Sequence, residues 1–265
     1  MSPIQAVVLA IVEGLTEFMP VSSTAHLVMV SSLMGIGKED FTKFFEVAVQ
    51  LGCILSVVVL YWKKFFHFQR WQFYIKLIIA VIPALVLGYK FGEKIDLLLI
   101  NPTIIALTLI AGGFVLLFID NFFRNGKIKE EKDVTYLNSL IIGVAQCAAM
   151  IPGVSRSAAT IIGGMQQKLS RGMAAEFSFF LAVPTMAAAT GYKLMETMKT
   201  SPEVFHDKHN IEALIIGNVV AFVVAFFTMK FFVEFVKKHG FRNFGWYRII
   251  IGIVFLLMIK LNQIR

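Results

Sequence analysis

The chain has 265 residues, 57% of them hydrophobic and only 16% charged, with a formal net charge of +8 and a mean hydropathy of +0.75. An ordinary soluble domain is about 25% charged, so there are too few charges to cover a soluble core of this size. The 26 Phe and the long aliphatic runs exclude disorder, and no short periodicity marks a fibre, which leaves a multi-span integral membrane protein. The basic excess would suggest nucleic acid in a soluble protein. Here most Lys and Arg sit between apolar segments, where they act as topology signals, and no nucleic-acid partner is expected.

The first apolar region, residues 3–35, carries Glu13 and Glu17 and is interrupted by Pro20-Val21-Ser22-Ser23-Thr24. It lacks the basic n-region and small-residue cleavage site of a signal peptide, and is expected to stay in the mature chain. A helix needs about 20 apolar residues to cross the hydrocarbon. Each half of this region is shorter, so it reads as a re-entrant helix–loop–helix. Spans follow at roughly 44–62, 73–92 and 101–119, the third opening at Asn101-Pro102 and ended by the charged run 120–133. A second broken region, 138–168, is interrupted by Pro152-Gly153-Val154-Ser155-Arg156-Ser157. Spans at roughly 174–196, 211–233 and 246–262 complete the chain. Cys53 and Cys147 lie far apart in apolar stretches and read as small buried hydrophobes. Gly163, Gly164 and Gly191 are expected to allow close helix packing.

The two broken regions form an internal repeat. With Pro20 aligned to Pro152, Ser23 falls on Ser155 and Thr24 on Arg156, and Glu46 finds a partner in Glu176. The chain is thus expected to be one polytopic membrane domain, 1–265, of two halves, about 1–133 and 134–265. Each half is a re-entrant hairpin plus three transmembrane helices, an all-α fold. Three spans is an odd number, so the halves are inverted. Placing the loops at 62–72, 120–137, 168–173 and 230–245 inside puts 13 basic residues there, against nine outside. The first hairpin then enters from outside and the second from inside, and their tips can meet near mid-membrane.

Glu13, Glu17, Glu46 and Glu176 fall within apolar segments, where a carboxylate is expensive and its default reading is functional. Glu13 and Glu17 are spaced i, i+4 on one helix face. Two carboxylates so close need a cation or a proton between them. Glu46 and Gln50 repeat the spacing. Glu46, Gln50 and Glu176 are read as supporting residues, with structural hydrogen bonding to the facing loops as the alternative for Glu46 and Glu176; Ser170-Arg171 suggests a helix start before Glu176. A loop that opens a helix presents free N–H groups and a positive dipole end, which suits phosphate. Ser22, Ser23 and Thr24 add hydroxyls and a candidate nucleophile. His26, one turn after Ser23, can hold a nucleophile or protonate a leaving oxygen. In the second loop Arg156, between Ser155 and Ser157, is a guanidinium at membrane depth and reads as a phosphate clamp.

The run Glu13-Gly14-Leu15-Thr16-Glu17-Phe18-Met19-Pro20-Val21-Ser22-Ser23-Thr24-Ala25-His26-Leu27 resembles the signature of the undecaprenyl-diphosphate phosphatase family of the bacitracin-resistance type. Pro152-Gly153-Val154-Ser155-Arg156-Ser157 resembles its second motif, and the likeness extends through Phe45–Gly52 and Ala175–Phe179. One position departs: Ala25 stands where Gly is expected. The resemblance implies hydrolysis of a C55 isoprenyl diphosphate to the monophosphate and inorganic phosphate, with a divalent metal. It also implies an outward-facing site in the bacterial plasma (inner) membrane and a role in recycling the cell-wall lipid carrier.

Both lines of reading converge on a lipid-diphosphate phosphatase. Glu17, Ser23, His26 and Arg156 are the expected catalytic residues. Ser22, Thr24, Ser155, Ser157 and Arg156 are expected to bind phosphate, and Glu13 and Glu17 to hold Mg²⁺ or Ca²⁺. Ser23 attack assisted by Glu17 or His26 is favoured over a metal-activated water. Expected partners are the polyprenyl diphosphate and membrane lipids, with a homodimer left open. The rival is a flippase for the product lipid phosphate, because inverted repeats with broken helices are carrier architecture. Ser23 and His26 beside Glu13 and Glu17 exceed what binding alone needs.

Overall fold

The computed structural model describes residues 1–66, 69–99, 101–123, 126–261 and 263, with the side chains of 92–99 excepted. Arg124, Arg265 and the side chain of Lys94, counted above as topology signals, lie outside the described residues. Among those described the chain is helical without a strand, apart from one isolated bridge between Ile128 and Leu169.

The first broken region is α1 (Pro3–Thr16) and α2 (Ser23–Leu33). Ser2 and Gln5 cap α1 reciprocally, side chain to backbone N–H in both directions, with Pro3 at the first helical position. At 1.5 Å per residue α1 reaches about 21 Å, short of a hydrocarbon core of about 30 Å. The second broken region is α8 (Tyr136–Gln146), a 3₁₀ turn at Cys147–Met150, and α9 (Arg156–Gln166). Thr135 and Asn138 form the corresponding box at the start of α8.

Between these regions run α3 (Asp40–Ala48), α4 (Gln50–Leu60), α5 (Trp62–Phe65), α6 (Trp71–Leu99) and α7 (Pro102–Phe122). After them come α10 (Arg171–Thr200), α11 (Lys208–His239) and α12 (Arg242–Lys260). Among the described residues six stretches are long and apolar enough to cross a membrane: Asp40–Leu60, Trp71–Phe91, Pro102–Phe122, Arg171–Thr200, Lys208–His239 and Arg242–Lys260. They match the six expected spans. α10 and α11, at 30 and 32 residues, are longer than expected and must tilt or project from the bilayer.

The first span is not one regular helix. Side chains from neighbouring helices take two of its backbone groups: Thr190 Oγ1 donates to the Val47 carbonyl at 3.2 Å, and the Gly52 N–H donates to Asn218 Oδ1 at 2.8 Å. Inserting side chains into the i→i−4 ladder interrupts it, here at Val49, which keeps helical angles. The interruption lies between Glu46 and Gln50.

Small residues set the helix contacts. A Cβ on Gly113 would stand 2.8 Å from the Gly245 carbonyl, so α7 and α12 touch backbone to backbone. Gly14 packs on Val224, bringing α1 against α11, and Gly163 packs on Ala145, bringing α9 against α8. Gly164 faces Ala174 of α10. Gly191 corrects the expectation: no described atom lies within 4 Å of its Cβ position, so it mediates no packing. Cys53 is buried, Cys147 is half-buried, and both are free thiols.

Candidate active site

The two loops between the short helices end alike. Ser22 has φ 69° and immediately precedes α2; Ser155 has φ 70° and immediately precedes α9. A positive φ at a non-glycine costs about 1–3 kcal/mol and persists where surrounding structure fixes it. Ser22 therefore corresponds to Ser155, and Ser23 to Arg156. The alignment that paired Ser23 with Ser155 is displaced by one residue. The cause is Gly153, an extra residue in the second loop at φ 88°, packed against Thr108 and the Ile105 carbonyl. Ser155 Oγ accepts from the Ala158 N–H at 3.3 Å and caps α9. Ser22 makes no such side-chain bond, so the first N–H groups of α2 remain available to an anion.

Glu17 joins the loops. Ser23 Oγ donates to its Oε2 at 2.5 Å, and Arg156 Nη2 donates to its Oε1 at 2.8 Å. Arg156 Nη1 donates to the Ser178 carbonyl at 2.9 Å, while its Nε is buried without a partner. This chain borders a cavity of about 310 Å³ that Ser22, Ser23, Thr24, Gln50, Ser155 and Arg156 help to line. The size is at the lower end of ligand pockets, about 300–1,000 Å³. Ala84, Met150, Met186 and Ala189 form its apolar side.

Other expected residues are placed differently. Ser157 does not line the cavity; its hydroxyl donates to the Met19 carbonyl at 2.7 Å and ties the second loop to the first. His26 also stands back from it. His26 Nδ1 lies 2.7 Å from the Ser22 carbonyl, an acceptor only, so Nδ1 carries the proton. Nε2 meets the Tyr247 hydroxyl at 2.8 Å, the two rings stacked with an interplanar angle of 6°. Both nitrogens are thus occupied, and the ring steadies the strained Ser22. Glu176 does not line the cavity. It pairs with Lys64 at 3.3 Å on another face, which removes the suggested equivalence with Glu46.

Glu13 is fully buried and both its carboxylate oxygens lack partners. Glu17, Glu46 and Arg156 lie within its electrostatic range, and Glu46 Oε1 is also buried and unpartnered. A buried carboxylate left without a hydrogen bond is costly unless a cation or proton joins it. Oxygen donors of this kind fit a hard cation. Among the described residues no three His, Cys, Asp or Glu side chains stand close enough to hold an ion by themselves. A cation here would draw its other ligands from water and phosphate oxygens, as Mg²⁺ usually does.

Two residues were missed. Tyr247 is one. The other is Arg248, whose fully buried guanidinium faces carbonyls alone: Pro20 and Val154 from Nη1, both at 3.1 Å, Gly153 and Thr108 from Nη2 at 2.9 and 3.2 Å, and Leu109 from Nε at 3.2 Å. It fastens both loops to α7. The rule that singled out the four glutamates applies equally to an arginine within the sixth span, and would have found it. The Tyr247 contact supports a direct check. Tyr247→Phe is expected to lower kcat/KM by no more than about tenfold, the net worth of one hydrogen bond of about 0.5–1.5 kcal/mol. A loss near the general acid–base range of about 10²–10⁴-fold would place His26 in the chemistry.

The chain is similar to known proteins over nearly its whole length. A profile described as "Bacitracin resistance protein BacA" matches residues 6–254. An undecaprenyl-diphosphatase of Flavobacterium johnsoniae is 56% identical over 259 residues, 97% of this chain and 96% of the relative. One from Bdellovibrio bacteriovorus is 47% identical over 261 residues, 98% and 97% of the two chains. One from Porphyromonas gingivalis is 44% identical over 279 residues, covering 98% of each.

Proposed function

The chain belongs to the bacitracin resistance protein BacA family, and on that premise we propose that it is a membrane-embedded undecaprenyl-diphosphatase, taking the lipid diphosphate to the lipid monophosphate and inorganic phosphate. The observation that carries the reading is the Ser23–Glu17–Arg156 chain across two helix-opening loops. A carrier would need the cation and the helix ends. It would not need a hydroxyl donating to a buried carboxylate.

The diphosphate sits between the starts of α2 and α9, and Arg156 Nε supplies the unpartnered donor for one of its oxygens. Glu17 takes the Ser23 proton while Oγ bonds to the terminal phosphorus. The bond to the bridging oxygen breaks, and the lipid monophosphate leaves with the electron pair. It leaves as an anion and needs no proton, consistent with His26 being engaged elsewhere. Water then attacks the phosphoserine, Glu17 returns its proton to Oγ, and inorganic phosphate departs. Transfer of this kind is mostly positioning and charge stabilisation. Thr24, on the cavity wall, adds a hydroxyl donor, and Gln50 adds an amide, while the Ser155 proton is directed to Ser157 Oγ at 3.1 Å, because the Ser157 proton goes to the Met19 carbonyl.

Glu13 and Glu17 are the residues that would hold Mg²⁺ or Ca²⁺. Bound there, the ion supplies charge neutralisation to the diphosphate. Glu13→Gln is expected to raise the Mg²⁺ concentration needed for half-maximal rate; an unchanged metal response would remove Glu13 from the metal site. The excess of basic residues on the α5–α6, α7–α8 and α11–α12 connections supports a plasma (inner) membrane orientation with the first hairpin entering from outside. The diphosphate would then be met on the outer side, where recycling of a cell-wall lipid carrier requires it.

The test of the function is phosphate release from undecaprenyl diphosphate by the detergent-purified protein with Mg²⁺ or Ca²⁺ present. Release that Arg156→Lys severely impairs is expected, because a point ammonium cannot span Glu17, Ser178 and a phosphate together. No release from the wild-type protein would favour the carrier.

A further inference from the structure

Away from the Ser23 cavity, two adjoining hollows of about 600 and 410 Å³ share Lys129, Met173 and Glu176. They lie where α6 and α10 begin. Trp71, Gln72 and Phe73 line the larger, and Ser170, Arg171 and Gly172 the smaller. A helix N-terminus is a positive dipole end, and two open here.

The charges here do not balance. Glu176 is matched by Lys64 at 3.3 Å, Glu131 by Lys76 at 3.6 Å, Glu130 by Lys132 at 2.8 Å, and the neighbouring Asp120 by Arg171 at 2.6 Å. Three cations are left over. Arg70 reaches Glu131 only at 4.0 Å, and Lys129 and Lys237 have no carboxylate within ion-pair distance among the described residues. The walls are built, not incidental. Lys76 is buried and donates to the carbonyls of Glu131 and Lys132 at 3.0 and 3.2 Å, fixing that segment. The Lys237 stem lies over the first turn of α10, where a Cβ on Gly172 would stand 2.5 Å from its Cε. Trp71, on the wall of the larger hollow, is exposed, as are Trp62 and Phe66 in the segment that leads to it. Such aromatics sit at headgroup level in a bilayer.

We propose that these hollows bind the headgroup of an anionic phospholipid of the surrounding membrane. The three surplus cations and two helix ends supply the attraction for phosphate, and basic pockets between transmembrane helices hold headgroups in this way. The aromatic belt puts the phosphate at the depth where a phospholipid carries it, with its acyl chains alongside α6.

The test is native mass spectrometry of the full-length protein from detergent containing equal phosphatidylglycerol and phosphatidylcholine. Preferential retention of phosphatidylglycerol is expected. The double variant Lys129→Gln/Lys237→Gln should reduce that preference about thirtyfold, from roughly 1 kcal/mol per basic residue near a membrane surface. Lys199→Gln/Lys208→Gln, exposed positions elsewhere, should leave it intact. No preference for the anionic lipid in the wild-type protein would overturn the proposal, as would a preference that survives the first double variant. Complete displacement of phosphatidylglycerol by inorganic phosphate would assign the hollows to a free anion and overturn it too.

Discussion

Glu17→Gln is expected to leave almost no turnover. The two carboxylate oxygens accept from donors on opposite loops, Ser23 Oγ on one and Arg156 Nη2 on the other. A glutamine has one acceptor oxygen and one donor amide, so it must turn an N–H toward the Ser23 hydroxyl or toward the guanidinium. Meeting the guanidinium places two donors face to face in a buried site, and meeting Ser23 removes the acceptor for its proton. Arg156 would also lose the opposite charge beside it. Loss of a general base alone is worth about 10²–10⁴-fold, and the disturbed clamp adds to it. The measurement is kcat for phosphate release at saturating lipid. A rate within a few-fold of wild type would mean that Glu17 neither takes the proton nor orders Arg156.

Arg248→Met is expected to unfold or severely loosen the protein. It would strip hydrogen bonds from the Pro20, Gly153, Val154, Thr108 and Leu109 carbonyls, which converge on one buried guanidinium. A buried polar group left unsatisfied costs about 1–3 kcal/mol, and changes above about 4–5 kcal/mol are rare and diagnostic. Arg248→Lys keeps the charge but presents one ammonium with three protons in place of a planar fork. It should retain the fold with a lower Tm and a reduced kcat, because the two loops are no longer held in register. Gly112→Ala gives an independent check, since its Cβ would collide with the Arg248 guanidinium. Thermal unfolding in detergent together with kcat reads all three. An Arg248→Met protein with wild-type Tm and rate would show that the loops are fixed by other contacts.

The contrast between Arg156 and Arg248 shows where residue pattern suffices. Arg156 stands beside a proline–serine break, so the charge and the local signal coincide. Arg248 lies in an unbroken apolar helix, and its role depends on carbonyls 139 and 228 residues away along the chain. Backbone acceptors carry no residue type, so nothing in the pattern points to them. The carboxylates divide in the same manner. Glu13 and Glu17 were legible because their i, i+4 spacing fixes them on one face of a short helix. Glu176 was paired with Glu46 by counting from a proline, but one sits five residues into α10 beside Lys64 and the other within the interrupted first span. The six spans and two short-helix pairs follow from hydrophobic length and Pro/Ser breaks. The left-handed serines do not, because serine has no preference for that conformation; tertiary contacts impose it.

The account rests on Ser23 as the atom that receives phosphorus. The most direct measurement mixes purified protein with undecaprenyl diphosphate, quenches in acid within the first turnover, and maps phosphorylation by peptide mass spectrometry. A phosphate on Ser23, absent from Ser22 and Thr24 and lost at later times as inorganic phosphate appears, is the predicted result. Ser23→Ala should then bind lipid diphosphate while losing nearly all turnover. A Ser23→Ala protein that hydrolyses the substrate at close to the wild-type rate would contradict the account and assign the attack to water.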